Sequence, residues 1–245
     1  MSGVSSGGDG PGELLAAPSR PGALSEGRSP HSANGVSSIV FDFGGVVFRW
    51  EPRVLLMNVL AHHAPDAAAA DVLAGRIFQT FAVGSDWGEF DRGTVDEDTL
   101  VERIATRSGL ALDEVRSVVD AVPAHLEVQT ATLDLMRRLK DAGHRLFYLS
   151  NMPVPFADEL ERIHPFFGWF EAGVFSGRVH LIKPEPAIFD LAAQRFGVDP
   201  AQLLFIDDLP HNIDQARASG WQGLVFRGAA QLEKDLLAGG WLPPV

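Results

Sequence analysis

The sequence contains no cysteine among its 245 residues. This absence excludes disulfide bonds, thiolate metal ligands and a cysteine nucleophile. It is also typical of proteins of the reducing cytoplasm, where we expect this protein to be located.

Positive charge is scarce in this chain. Lysine and arginine together number 20 against 32 aspartate and glutamate residues, which gives a net charge of −12. A nucleic-acid-binding surface requires lysine and arginine patches to contact phosphates, so we expect no nucleic-acid partner. A small phosphorylated substrate is compatible with this charge, because it needs only one local cation and a metal ion.

Long apolar runs are also absent. No stretch reaches the ~18 apolar residues expected of a membrane span, and no compact hydrophobic segment follows a basic N-terminus. We therefore expect neither membrane association nor a secretory signal. Residues 1–36 are mostly glycine, serine, proline and alanine. Such a segment buries too little apolar surface to offset its ordering entropy, and we predict a disordered N-terminal tail.

From residue 37 onward, short apolar runs alternate with amphipathic segments. Runs rich in valine, isoleucine, leucine and phenylalanine are typical of buried parallel strands, and they lie at 37–43, 145–150, 172–176, 203–208 and 223–226. Helical patterns separate them. This alternation predicts an α/β fold with a doubly wound parallel sheet and right-handed crossovers.

Residues 52–127 are mainly helical in their apolar spacing. We predict that one helix begins at a capping box of Thr94 and Glu97 and ends at Gly109. The block is too long for a simple crossover between two strands. We therefore predict an inserted helical cap over 52–127, with the α/β core formed by 37–51 and 128–245.

Asp42 ends the first apolar run and precedes Phe43, Gly44 and Gly45. A carboxylate at this position is costly to bury without a partner. The two glycines allow a tight turn that brings backbone N–H groups close to an anion. Asp42 is therefore a candidate nucleophile and cation ligand, and capping of a turn is the structural alternative.

Ser150 and Asn151 end the second run, and Lys183 precedes Pro184 in a loop. A hydroxyl, an amide and nearby backbone N–H groups can bind phosphoryl oxygens, although serine and asparagine are also common in turns. The residue before a proline is biased towards an extended conformation. This bias can direct the Lys183 ammonium inward, whereas a lone loop lysine is more often solvated.

Asp207 and Asp208 follow the run Leu-Leu-Phe-Ile. Adjacent carboxylates repel each other unless a cation lies beside them. Hard oxygen ligands with no histidine or cysteine nearby favour Mg²⁺, and a solvated turn is the alternative. Asn212 is expected to cap the helix that follows, or to orient one of the two aspartates.

These reactive residues all lie just past predicted strand or loop ends, which is where an open α/β sheet places its active site. A nucleophilic carboxylate, a hydroxyl, an ammonium and a metal-binding carboxylate pair are together suited to phosphoryl transfer. In the cap, Asp91–Gly93 is interpreted as a polar turn from which Arg92 could reach a substrate.

The ordered segments FDFGGVVF, YLSN, IKPEPAIF and FIDDLPHNI resemble the haloacid dehalogenase (HAD) superfamily of hydrolases. The likeness extends from about residue 38 to 228, and the position of the cap is similar to subclass I. Within the superfamily, the chain resembles bacterial sugar-phosphatase-like members and the phosphatase domain of soluble epoxide hydrolases.

The resemblance implies a Mg²⁺-dependent phosphatase that forms an aspartyl-phosphate on Asp42. It implies catalytic roles for Asp42, Ser150 and Lys183. Phosphate contacts would come from Gly44, Gly45, Ser150, Asn151 and Lys183, and Mg²⁺ ligands from Asp42, Gly44 (through its carbonyl), Asp207 and Asp208. The expected partner is a small phosphorylated substrate, and we expect a monomer or homodimer.

Gly44 departs from the family pattern, because phosphatases of this family usually carry a general acid/base aspartate there. Such an acid typically contributes ~10²–10⁴-fold in rate. The enzyme would be slow, would recruit an acid from the cap or substrate, or would prefer a leaving group that needs little protonation. The last case favours a sugar 1-phosphate as substrate.

Two other functions compete with this hypothesis. A 2-haloacid dehalogenase also uses an aspartate nucleophile without the second aspartate, but similar dehalogenases replace the carboxylate pair by Ser/Asn-type residues. The pair Asp207 and Asp208 therefore favours the phosphatase. A catalytically weak phosphometabolite-binding protein is the third possibility.

Overall fold

The computed structural model describes residues 38–243, so the tail predicted for 1–36 lies outside the described residues. Its parallel sheet has five strands in the order β3-β2-β1-β4-β5. The strands are β1 (Ser38–Phe41), β2 (Arg145–Ser150), β3 (Ala172–Phe175), β4 (Leu203–Asp207) and β5 (Gln222–Val225). The predicted α/β fold with a doubly wound parallel sheet is confirmed.

Ten α-helices accompany the sheet in the described part of the chain. Six of them lie between β1 and β2, and the first five of these six are called the cap here: α1 (Pro52–Val59), α2 (Ala67–Phe78), α3 (Asp86–Arg92), α4 (Glu97–Ser108) and α5 (Leu112–His125). The other five belong to the α/β core: α6 (Thr130–Asp141), α7 (Val154–Ile163), α8 (Pro186–Phe196), α9 (Pro210–Ala218) and α10 (Ala229–Ala238).

The central strand β1 shows why these apolar runs form a buried sheet. Successive side chains of a strand point to opposite faces. Ile39 and Phe41 accordingly lie in one apolar cluster, whereas Val40 lies in the second. Both faces are covered, so the strand is apolar throughout rather than alternating with polar residues.

The order of the strands determines where a crevice forms at the edge of the sheet. The chain adds β2 and β3 on one side of β1, and later β4 and β5 on the other. The carboxyl ends of β2, β1 and β4 therefore meet at the point where the strand order reverses, and a crevice opens there in folds of this kind.

Two predictions within the cap are wrong. The N-cap of α4 is Asp96, whose side chain accepts a hydrogen bond from the Thr99 N–H at 2.8 Å. Thr94 lies two residues before this N-cap, and its hydroxyl donates instead to the Glu89 carbonyl at 3.0 Å and carboxylate at 2.7 Å. The expected end of this helix at Gly109 is confirmed.

The segment Asp91–Gly93 is not a polar turn. Asp91 and Arg92 are the last two residues of α3, and Gly93 ends the helix in the left-handed conformation at φ 75°. Across residues 38–243, none of the helices has both the length and the apolar character that crossing a membrane requires.

Candidate active site

Asp42 lies directly after β1, where its N–H donates to the Ile206 carbonyl of β4 at 2.9 Å. Only 6% of the residue is exposed. Gly45 follows with φ 76°, and a Cβ there would lie 2.6 Å from Oδ2 of Asp208. Glycine at 45 therefore allows the turn after Asp42 and its close approach to Asp208. By contrast, a Cβ on Gly44 would meet nothing within 4 Å.

Lys183 lies between two of the predicted carboxylates. Its Nζ is 2.9 Å from Oδ1 of Asp42 and 2.7 Å from Oδ2 of Asp207. Although burial opposes the charged form, the charges of Asp207 and Asp42 raise the pKa of Lys183. The ammonium is thus held charged beside the candidate nucleophile.

Asp207 is fully buried, and its two oxygens accept several hydrogen bonds. Oδ1 accepts from the Leu209 N–H at 2.8 Å, and the Asn212 side-chain amide donates to Oδ1 at 3.1 Å and Oδ2 at 3.0 Å. The prediction that Asn212 caps α9 is therefore wrong. Leu209 is the N-cap and gives no side-chain bond, while Asn212 orients Asp207, which was the other expectation.

Asn151 contacts Lys183 in a way that the sequence did not indicate. Its Nδ2 donates to the Lys183 carbonyl at 3.0 Å, and its Oδ1 accepts from the Lys183 N–H at 2.8 Å. The side-chain amide thus holds the lysine backbone. Its two polar atoms face Lys183 rather than standing free for phosphoryl oxygens.

Ser150 is 1% exposed, and its hydroxyl has no hydrogen-bond partner among the described residues. A buried hydroxyl without a hydrogen-bond partner is costly, and a bound ligand would supply the missing partner. Ser150 is not among the residues that line the cavity, although Asn151, which directly follows it, and Lys183 are.

Carboxylate oxygens of Asp42, Asp207 and Asp208 lie within 4.8 Å of one another. Among residues 38–243, only the Lys183 ammonium balances these three acids at close range. Burial and neighbouring charges accordingly raise the pKa of Asp42 to about 8 and that of Asp208 to about 6. Three crowded hard oxygen donors with excess negative charge fit a divalent cation such as Mg²⁺.

The site opens into a cavity of about 310 Å³ between the cap and the core. Its polar wall is formed mainly by residues after β1, β2 and β4, with Asp91 contributed by the cap. The rest of the lining is apolar and comprises Trp50, Pro52, Phe81, Trp87, Val122, Leu126, Met152, Pro153, Phe156 and Leu209.

Asp91 was not among the predicted site residues. It is 6% exposed and lines the cavity together with Asp42 and Lys183. Burial raises its pKa to about 8, the charge of Lys183 acts against this, and that of Asp42 adds to it. Helical spacing is the sequence signal that could have indicated Asp91, because Asp91 follows the buried Trp87 by four residues and shares its face of α3.

A family model described as haloacid dehalogenase-like hydrolase matches residues 36–220 of this chain. Among known proteins, the chain is similar to a sesquiterpene phosphatase of Aspergillus oryzae, with 25% identity over 186 residues. That alignment covers 76% of this chain and 87% of the relative.

Solved structures are similar at the level of the fold. One is a HAD family enzyme from Bacteroides thetaiotaomicron, crystallised in complex with magnesium and inorganic phosphate. It superposes with a TM-score of 0.62 at 20% identity, covering 78% of this chain and 94% of that chain. An L-2-haloacid dehalogenase gives a TM-score of 0.61 at 21% identity, with 78% and 86% covered.

Proposed function

This chain belongs to the haloacid dehalogenase-like hydrolase family, and we propose that it is a Mg²⁺-dependent phosphatase acting through an aspartyl-phosphate on Asp42. One observation carries the proposal. The Lys183 ammonium lies between Asp42 and Asp207, while no side chain donates a hydrogen bond to the Asp208 carboxylate in the described part of the chain. An attacking carboxylate, a fixed cation and a free metal ligand thus share one cavity wall.

The metal would be held by residues at the carboxyl ends of β1 and β4. Asp42 and Asp208 would supply carboxylate oxygens and Gly44 its carbonyl, while Asp207 would complete the acidic site. When bound, Mg²⁺ would neutralise charge on the phosphoryl oxygens. Because Asp207 already accepts hydrogen bonds from Lys183, Leu209 and Asn212, its main contribution would be charge and orientation.

The chain's own residues would perform two displacements at phosphorus. A carboxylate oxygen of Asp42 would attack the phosphorus atom, and the substrate oxygen would depart with the bonding electron pair. Lys183 would stabilise the negative charge on the phosphoryl oxygens, and Ser150 would donate its free hydroxyl to one of them. Water would then attack the aspartyl-phosphate and release inorganic phosphate.

The cavity lining bears on the substrate class. We propose a phosphate ester with an apolar organic group, because aromatic and aliphatic side chains form most of the wall beyond the polar end. Apolar groups gain free energy by leaving water for such a lining. The relative named a sesquiterpene phosphatase supports this choice. A sugar 1-phosphate stays a prediction, although its hydroxyls would find few polar partners here.

Phosphate release from matched substrates tests the proposal. We would compare a medium-chain alkyl phosphate, a sugar 1-phosphate and a sugar 6-phosphate, with Mg²⁺ and with EDTA. We expect Mg²⁺-dependent turnover, fastest on the alkyl phosphate and abolished in Asp42→Asn. Asp120→Asn is the matched control, because Asp120 is an exposed residue of α5.

Two outcomes would contradict parts of this proposal. Faster turnover of the sugar 1-phosphate would reverse the substrate preference and leave the phosphatase intact. Release of halide from a 2-haloacid in EDTA, with no phosphate release from any ester, would replace the phosphatase by the dehalogenase alternative.

A further inference from the structure

The proposed phosphatase lacks an obvious proton donor for its leaving group. Gly44 has no side chain at the position where related phosphatases carry an acid. An alkoxide is a poor leaving group, so the first displacement needs a proton on the departing oxygen. We propose that Asp91 of the cap supplies this proton, an inference that rests on the proposed function.

The position of Asp91 suits a proton donor to the leaving group. Asp91 projects from the last turn of α3 into the cavity that Asp42, Lys183 and Asp208 also line. The residue is 94% buried, since only 6% of it is exposed. Within the described residues, its carboxyl group makes no hydrogen bond or ion pair, although its backbone carbonyl does. A buried acid without a partner is costly unless it serves a ligand.

The backbone of Asp91 is fixed to the catalytic edge of the core. Its carbonyl accepts a hydrogen bond from the Ser176 hydroxyl at 2.6 Å. The same hydroxyl accepts from the Met152 N–H at 2.8 Å. Met152 directly follows Asn151, so one buried serine links the cap acid to the segment that positions Lys183.

The next two residues strengthen this attachment. Arg92 donates to both carboxylate oxygens of Glu185 at 2.8 and 2.7 Å, and Glu185 lies two residues after Lys183. Gly93 passes so close to the Gly177 carbonyl that a Cβ would collide with it. Three consecutive residues of the cap therefore dock onto core loops beside the site, which keeps Asp91 in a constant position relative to Asp42.

Burial favours the protonated form of the Asp91 carboxyl group. Burial raises its pKa to about 8, the charge of Lys183 opposes this, and that of Asp42 adds to it. Arg92 does not neutralise Asp91, because its guanidinium is engaged by Glu185 and Glu89. A neutral carboxylic acid facing the nucleophile is the state that a proton donor requires.

Asp91 takes part in both displacements. An oxygen of Asp42 forms a bond to phosphorus while the bond from phosphorus to the alkoxyl oxygen breaks. The departing oxygen keeps the electron pair and takes the proton of Asp91, giving the neutral alcohol and an Asp91 carboxylate. In the second displacement, the oxygen of the attacking water forms a bond to phosphorus, and its proton passes to the Asp91 carboxylate. The bond from phosphorus to the Asp42 oxygen breaks, and inorganic phosphate leaves. Asp91 is then protonated again and Asp42 is free.

Single-turnover release of the organic product tests the role of Asp91. The probes are a medium-chain alkyl phosphate, whose alkoxide needs a proton, and p-nitrophenyl phosphate, whose phenolate leaves without one. For Asp91→Asn with Mg²⁺, we expect alcohol release to slow by about 10²–10⁴-fold. Release of p-nitrophenol should stay within a few-fold of wild type.

Two matched variants accompany the experiment. Asp91→Glu keeps an acid and should retain more alcohol release than Asp91→Asn, whereas Asp120→Asn should behave as wild type with both probes. If Asp91→Asn slows product release from both probes equally, or from neither, the role of Asp91 is overturned while the proposed phosphatase still stands. Failure of wild type to turn over either probe would overturn the proposed phosphatase and this role with it.

Discussion

The side-chain amide of Asn151 and the backbone of Lys183 form a reciprocal pair of hydrogen bonds of 3.0 and 2.8 Å. The amide therefore sets the path of the chain at Lys183 from 32 residues away. The ammonium at the end of that side chain lies between Asp42 and Asp207. The geometry of the candidate nucleophile thus depends on an amide that need not touch the substrate.

Asn151→Ala should lower kcat for phosphate release by about 10²-fold, because a shift of roughly 1 Å in a positioning group has an effect of that size. The measurement is steady-state phosphate release with saturating Mg²⁺. Asn58→Ala is the control, since Asn58 is an exposed residue of α1. Unchanged kcat in Asn151→Ala would contradict the positioning role.

Lys183→Met should destabilise the metal-free protein by about 3–5 kcal/mol, because it leaves the buried carboxylates of Asp42 and Asp207 without their cation. Mg²⁺ should recover part of this loss by supplying positive charge at the same place. Urea denaturation with EDTA and with Mg²⁺ gives both free energies of unfolding. Equal stability of variant and wild type in EDTA would contradict the proposed balance of charges.

Asp208→Asn should abolish the rise in melting temperature that Mg²⁺ gives wild type, because it removes the carboxylate best placed to ligate the metal. Ligand binding to the folded state raises stability in proportion to RT ln(1 + [L]/Kd). Thermal melts over a Mg²⁺ titration provide the measurement. Asp91→Asn should keep the full shift, and its loss there would argue that Asp91 belongs to the metal site instead.

The stability of wild type relative to Asp91→Asn should fall as pH rises. Burial raises the folded-state pKa of Asp91 from 3.8 to about 8. The contribution of protonated Asp91 to the free energy of unfolding is fully present below the pKa that Asp91 has in the unfolded state. It is lost as pH rises through the pKa of Asp91 in the folded state. Urea denaturation in EDTA from about pH 5 to about pH 9 measures the difference. A constant difference across this range would show that Asp91 titrates normally.

Gly44→Asp should restore alcohol release to the Asp91→Asn variant. A Cβ at 44 meets no atom within 4 Å, and the position lines the cavity. An acid introduced there would reach the leaving group from the core rather than from the cap. Single-turnover kinetics on an alkyl phosphate compares the double variant with Asp91→Asn. No gain in rate would indicate that the core position cannot deliver a proton in this enzyme.

Much of this molecule could be predicted from the sequence because its elements are locally encoded. Ile39, Val40 and Phe41 form a continuous apolar run, which a strand covered on both faces requires. Reactive residues at the ends of such runs converge because parallel strands end at one edge of the sheet. The grouping of Asp42, Asp207 and Asp208 follows from this rule, whereas Lys183 joins them from a loop that lies after β3.

Only the tertiary structure decided which side chains meet across long stretches of chain. The partner of the Asn151 side chain, the Lys183 backbone, was not indicated by its turn propensity. For Asn212 the sequence left two roles open, and the structure shows that it orients Asp207 instead of capping α9. Asp91 joins the site because Ser176 and Glu185 hold the end of α3 against the core. Such pairings depend on the docking of the cap, since the periodicity of a helix fixes which face a residue shares and not what that face will contact.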